Sequence, residues 1–198
     1  MARRGTAWVA GAVRAVVDQL DVIVERDPSV RSRGEAALHP ALAAVLSHRV
    51  AHRLYLRGRY RTARAVCVLA RFATGIEIHP GARIGRRFFV DHGAGVVVGE
   101  TAVVGDDVTL FHQVTLGATG WWQAAARGGR RHPRLGDGVV VGVGATLLGP
   151  ITVGDNVLVG AQALVLADVP VGSTVRAPAA AVASKIRRLD GHRAEEAA

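Results

Sequence analysis

The run Asp91-His92-Gly93 is the first place in this chain where residue types suggest chemistry. An imidazole with an ordinary pKa of about 6.5 can take a proton at neutral pH and return it, and a general base of this kind is worth roughly 10² to 10⁴ in rate. His112 supplies a second imidazole. If the two stand in neighbouring turns of one structure, about 4.8 Å apart, they could instead share a metal ion. Cys67 is the only cysteine, so no intramolecular disulfide is possible. It lies in an apolar helical stretch and reads as core rather than as a nucleophile.

What must hold His92 in place is a repeat. An aliphatic residue recurs every six positions at Ile78, Ile84, Val90 and Val96, then after a two-residue slip at Val98, Val104, Leu110 and Leu116. The ladder resumes at Leu135 and runs through Val141, Leu147, Val153, Val159 and Val165 to Val171. Glycine often follows directly, as in Ile84-Gly85, Val104-Gly105 and Val153-Gly154. Strands alternate with period two and helices with period 3.6, so neither explains a repeat of six. A hexapeptide solenoid does: three hexapeptides form a triangular coil of roughly 18 residues, with aliphatics stacked inside and Gly, Asp and Asn at the corners. The count predicts about five coils over residues 76–178, with a loop inserted at 118–134. His92 and His112 both take the third position of a hexapeptide and are expected one above the other.

Ahead of the ladder the period is helical. Trp8, Ala12, Val16, Leu20 and Val24 form a stripe that stops at Asp27-Pro28, since proline disfavours helix in the residue before it. Leu42, Val45, Leu46, Val50 and Leu54 repeat the pattern from Pro40 to Arg57, Gly58 is a stop signal, and Ala63 to Phe72 reads as a further helix. Residues 1–75 are therefore expected to form an α-helical cap and residues 179–198 a C-terminal tail.

The formal charge is +9 and the sequence pI near 11.3, yet basic residues are scattered as arginine, Lys185 being the only lysine. No basic run is interleaved with aromatics as a nucleic-acid groove requires, so nucleic acid is not an expected partner. Such a surface attracts small anionic ligands instead. The apolar runs are short, and the N-terminus lacks a signal peptide's cleavage pattern. Neither membrane spanning nor export is expected, and the cytoplasm is the expected compartment.

Five motifs in order, Gly75-Ile-Glu-Ile-His-Pro-Gly81, Val90-Asp-His-Gly-Ala-Gly95, Val98-Gly-Glu-Thr-Ala102, Val114-Thr-Leu-Gly-Ala-Thr-Gly120 and Arg131-His-Pro133, resemble the serine O-acetyltransferases. In the cap, Arg26-Asp-Pro-Ser29, Arg31-Ser-Arg33, Glu35 and His48-Arg-Val-Ala-His52 are similar to the short bacterial form. The resemblance implies a mainly β fold, a left-handed parallel β-helix with an N-terminal α-helical cap, and transfer of acetyl from acetyl-CoA to the hydroxyl of L-serine in cysteine biosynthesis. It implies His92 as the base and Glu77 as the carboxylate that orients it, with Asp91, Arg131 and His132 holding the amino acid. Counting coils puts Glu77 on the face of His92, offset by three positions. Arg31 stands where longer relatives carry an acid for the substrate ammonium, and Glu35 is the expected substitute. The donor is expected against Ala118, Thr119, Gly120 and Arg176, with Arg127, Arg130 and Lys185 drawing its phosphates and Trp121-Trp122 covering it or packing on a neighbouring subunit.

The resemblance further implies a homotrimer, with active sites between subunits and a dimer of trimers as the possible larger assembly. No metal is expected. The chain ends Glu-Glu-Ala-Ala198, whereas relatives that dock into O-acetylserine sulfhydrylase end in Ile, so no stable complex with that enzyme is expected. Two other functions fit parts of the pattern. A zinc hydratase of the γ-carbonic anhydrase type would use His92 and His112. A CoA-dependent acyltransferase of secondary metabolism would act on another amino-acid or small alcohol, as the altered Gly117-Ala-Thr-Gly-Trp121 segment suggests.

Overall fold

The computed structural model describes residues 2–120 and 129–180. Four helices come first: α1 (Ala2–Arg26), the single turn α2 (Arg33–Ala36), α3 (Pro40–Leu56) and α4 (Tyr60–Thr74). Their ends have local causes. Pro28 stops α1, Pro40 occupies the first turn of α3, where its missing N–H is not needed, and Gly75 closes α4 in the left-handed conformation with φ 73°. The single turn α2, capped by the Ser32 hydroxyl, has no periodic signature and escaped the sequence pattern.

The strands that follow are two or three residues long, and all pair in parallel in three sheets. The first face stacks β1 (Glu77–Ile78), β4 (Val97–Val98), β7 (Thr115–Gly117), β10 (Thr146–Leu148) and β13 (Leu164–Val165). The second stacks β2 (Arg83–Ile84), β5 (Val103–Val104), β8 (Arg134–Leu135) and β11 (Thr152–Val153). The third stacks β3 (Phe89–Val90), β6 (Thr109–Leu110), β9 (Val140–Val141), β12 (Leu158–Val159) and β14 (Thr174–Val175). The chain visits the faces in rotation, so they are the three sides of a parallel β-helix. Inside, the ladder residues Ile78 through Val165 form one buried column.

The registers locate the irregularities. Val98 pairs with Leu116, 18 residues on, but Ile78 pairs with Val98, 20 residues on. The two extra residues sit in the corner between β3 and β4, the segment that carries His92. Val104 pairs with Leu135 across the inserted loop, of which residues 121–128 lie outside the described ones.

The column also ends sooner than the count of six predicts. Val171 is 67% exposed, while Val169 bridges Val153 and Val175 pairs with Val159. Pro170 cannot donate to the ladder, and the chain leaves the hexapeptide register around it.

The cap is tied down at two places. Val22 and Ile23 of α1 pack on Phe89 with Ala36 and Leu42, and the Arg26 guanidinium donates to the Thr109 hydroxyl (2.8 Å) and pairs with Asp107. On α3, His48 Nε2 donates to the Ala82 carbonyl (3.2 Å), His52 Nδ1 to the Pro80 carbonyl (2.8 Å), and Arg49 to the carbonyls of Ile84 and Gly85. The His48-Arg-Val-Ala-His52 run thus docks a helix onto corner carbonyls that would otherwise lack donors.

Candidate active site

The widened corner Asp91–Val96 explains how a six-residue ladder can present a working side chain. His92 adopts φ 57°, Gly93 φ 59° and Gly95 φ 75°. A residue other than glycine in this region is uncommon, and here it turns the imidazole outward, 76% exposed. Gly93 is required for a second reason: a Cβ there would lie 2.4 Å from Ile76 Cδ1. One coil on, the His112 ring meets the His92 ring edge to face, as neighbours on adjacent coils, where the hexapeptide count places them.

Around His92 the structure gathers carboxylates. Asp91 Oδ1 lies 3.8 Å from His92 Nε2. The second carboxylate comes from the cap: Asp27, in the turn after α1, comes close to Asp91 together with His39, the N-cap of α3. One ligand atom from each of the three lies within 4.8 Å of the others. Asp27 Oδ1 accepts from the Ser29 backbone N–H (2.9 Å) and hydroxyl (2.7 Å), bonds that hold its pKa below the usual carboxylate range. Its Oδ2 faces His39 Nε2 at 3.6 Å.

Asp27 and His39 were not picked out in the sequence as site residues, although Asp27 belongs to the Arg26-Asp-Pro-Ser29 motif. Their placement depends on how the cap docks. The Glu35 carboxylate accepts from the Arg31 backbone N–H at 2.6 Å, closing the α2 turn. The acid placed beside Asp91 is Asp27.

Glu77 opens β1 on the same edge as His92, but its carboxylate is paired with Arg71 of α4 at 2.9 Å. The two flank a cavity of about 520 Å³ that is also lined by Phe72, Gly95 and Val97.

Arg131 and His132 occupy a different edge, the corner between the first and second faces. His132 is buried, and its Nδ1 accepts from the Thr101 backbone N–H at 3.2 Å, so Nε2 carries the proton and is a fixed donor. Gly99 makes room for it: a Cβ at 99 would stand 2.0 Å from the ring. Burial, then Arg131, push the His132 pKa down, which keeps the ring neutral. Arg131 donates to Glu100, whose other oxygen accepts from the Tyr55 hydroxyl at 2.8 Å. Those contacts, the tyrosine first, lower the Glu100 pKa.

The expected donor residues divide in the same way. Ala118, Thr119 and Gly120 follow β7 on the Arg131 edge, whereas Arg176 follows β14 on the His92 edge and is exposed. Arg130 is engaged with the carbonyls of Pro150 and Ile151. Trp121, Trp122, Arg127, Lys185 and the C-terminal residues lie outside the described ones.

A parallel β-helix of hexapeptides with an exposed histidine beside paired carboxylates defines a hexapeptide-repeat acyltransferase. Residues 132–167 match the family described as Bacterial transferase hexapeptide (six repeats). The chain is 53% identical to the serine acetyltransferase of Helicobacter pylori over 135 residues, 68% of this chain and 76% of that one. Among solved structures, the serine acetyltransferase isoform 3 of Entamoeba histolytica in complex with cysteine superposes with a TM-score of 0.79 at 35% identity, over 89% of this chain and 62% of that one. The serine acetyltransferase of Brucella abortus in complex with coenzyme A gives 0.77 at 36%, over 84% and 65%. The chain therefore spans less than two thirds of these two solved enzymes. It belongs to the serine acetyltransferase family, whose β-helix is left-handed. That membership removes the zinc hydratase reading.

Proposed function

We propose that this protein transfers the acetyl group of acetyl-CoA to the hydroxyl of L-serine, giving O-acetyl-L-serine and CoA. The observation that carries the reading is the corner at His92: an outward imidazole beside Asp91, whose carboxylate lies close to that of Asp27, a base adjoining two acids that can receive an ammonium group. A neutral hydroxyl is a poor nucleophile, so its proton must leave as it attacks. His92 takes that proton, the serine oxygen bonds to the thioester carbonyl carbon, the carbon–sulfur bond breaks, and His92 returns the proton to the leaving thiolate. Asp91 and Asp27 receive the serine ammonium, Arg131 and His132 its carboxylate, and Glu77 steadies the imidazolium. Residues 118–120 and Arg176 flank the coenzyme. No covalent intermediate is needed. Burial raises the Cys67 thiol to about 11, leaving no thiolate at neutral pH.

Because the base and the carboxylate clamp lie on different edges of one triangular stack, one copy cannot close the site alone. A second copy brings its Arg131 edge against the His92 edge of the first, and three copies close the ring. We place the reaction in the cytoplasm, where CoA thioesters and a free thiol such as Cys67 persist. Among the described residues no helix is long and apolar enough to cross a membrane.

The test is a thiol-release assay with acetyl-CoA over serine, homoserine, threonine and 3-hydroxypropionate. Serine should lead by at least tenfold in kcat/KM, and another leading acceptor would replace this reading. Mixing inactive His92→Ala and Arg131→Ala subunits should restore part of the activity, and failure of mixed oligomers to do so would place the whole site in one copy.

A further inference from the structure

The trio Asp27, His39 and Asp91 has the spacing of a metal cradle, but the hydrogen bonding of His39 argues otherwise. His39 Nδ1 accepts the Ala41 backbone N–H at 3.2 Å, as the N-cap of α3. A neutral imidazole has one bare nitrogen, and that bond uses it, so Nε2 carries the proton. A metal needs the opposite arrangement and would uncap the helix. What faces Asp27 Oδ2 is therefore an N–H donor.

We infer that His39 is a positioning residue of the acceptor's ammonium pocket, its Nε2–H aiming the Asp27 carboxylate toward Asp91 while the helix cap keeps the ring uncharged. The inference rests on the proposed reading of Asp27 and Asp91 as the ammonium site. Two contacts and burial hold the ring. Its Nδ1 is bound to α3, its side chain is only 12% exposed, and its ring lies 5.7 Å from that of Phe89, a fully buried residue of β3. The Ser29 bonds occupy Asp27 Oδ1, so Oδ2 is the oxygen left for the substrate, and His39 sets its direction.

The charge state follows from the surroundings. The charged and titratable groups around the ring are Asp27 from the turn after α1 and Asp91 and His92 from the β3–β4 corner. An imidazolium here would partly neutralise Asp27 and Asp91 before substrate arrives, weakening their attraction for its ammonium. Burial opposes that state, as does the bond from Ala41, which protonation at Nδ1 would break. Serine binding should therefore weaken in acid through His39, whose pKa burial holds below the usual imidazole range.

Two variants separate capping from positioning. His39→Asn keeps an N-cap acceptor but is too short to reach Asp27. It should raise the serine KM about tenfold, with kcat and the acetyl-CoA KM within about twofold and Tm nearly unchanged. His39→Gln restores reach and a donor without a titrating ring. It should return the serine KM to near the wild-type value at neutral pH and remove its rise in acid. A wild-type serine KM in His39→Asn overturns the inference, and so does an unaltered acid limb in His39→Gln. Asp27→Asn serves as the control. If it leaves the serine KM unchanged, the ammonium-site reading itself fails. If it raises KM while His39→Asn does not, only the role of His39 fails.

Discussion

The His112 ring meets the His92 ring edge to face across adjacent coils, with centroids 5.9 Å apart and planes at 81°. Among the described residues the buried His112 Nδ1 has no hydrogen-bond partner, and the ring's contact with His92 is one of shape, propping the imidazole of the coil before it. His92→Asn should lower kcat by about 10² to 10⁴ while both KM values stay within a few fold. His112→Ala, which removes only the prop, should cost about tenfold. Dialysis against EDTA should leave the rate unchanged, and stoichiometric zinc lost in His112→Ala would reinstate a metal centre.

Tyr55 links the cap to the carboxylate clamp through Glu100. A hydrogen bond to a charged group contributes about 1.5 to 3 kcal/mol, part of which here fixes the Arg131 guanidinium. Tyr55→Phe should raise the serine KM about three- to tenfold with little change in the acetyl-CoA KM. An unchanged serine KM would mean that Arg131 needs no support from α3.

Gly99 tests the seat of His132. The methyl of Gly99→Ala cannot coexist with the ring, which must leave its Thr101 contacts. The variant should fold, with Tm lower by a few degrees, yet lose at least about tenfold in kcat/KM for serine. Thermal melts alongside kinetics check both halves, and full activity would release His132 from the site.

Acid should weaken the fold in a defined window. His48 is pushed down to about 3, chiefly by burial and then by Arg49, while the unfolded chain titrates near 6.5. Between those values the unfolded state binds the proton and the folded state does not. Stability is therefore complete above about 6.5 and falls as the pH drops toward 3, by up to a factor of about ten in the folding equilibrium per unit. His79, pushed down to about 4 by burial first, adds to the same slope. Urea melts from pH 7 to 4 should show the decline, and His48→Gln should flatten it at the expense of absolute stability.

The β-helix was legible because its period is short and carried by one residue type, so Ile78 to Val165 could be counted into place. Val171 was miscounted because one proline outweighs a periodic pattern locally. His92 and its neighbour His112 were legible as positions on that ladder. Asp27 and His39 were not, because their meeting with Asp91 depends on Val22, Ile23 and Arg26 docking α1 against Phe89, Thr109 and Asp107, more than 60 residues away. Nor does spacing reveal that Glu77 turns to Arg71, or that Arg131 lies on a different edge from His92.

The two surplus residues at the β3–β4 corner bear on how such a protein acquires chemistry. In a flat sheet, an insertion shifts every later side chain or must be absorbed as a bulge. Here it goes into a corner, and Ile78 and Val98 still meet in the column on either side of it. A coil can lengthen by a pair of residues, or by a whole loop as before Arg134, without repacking its interior. The fold thus separates the part of the chain that must stay regular from the part that can be rewritten, and lineages built on it can change catalysts and substrates while the scaffold stays the same.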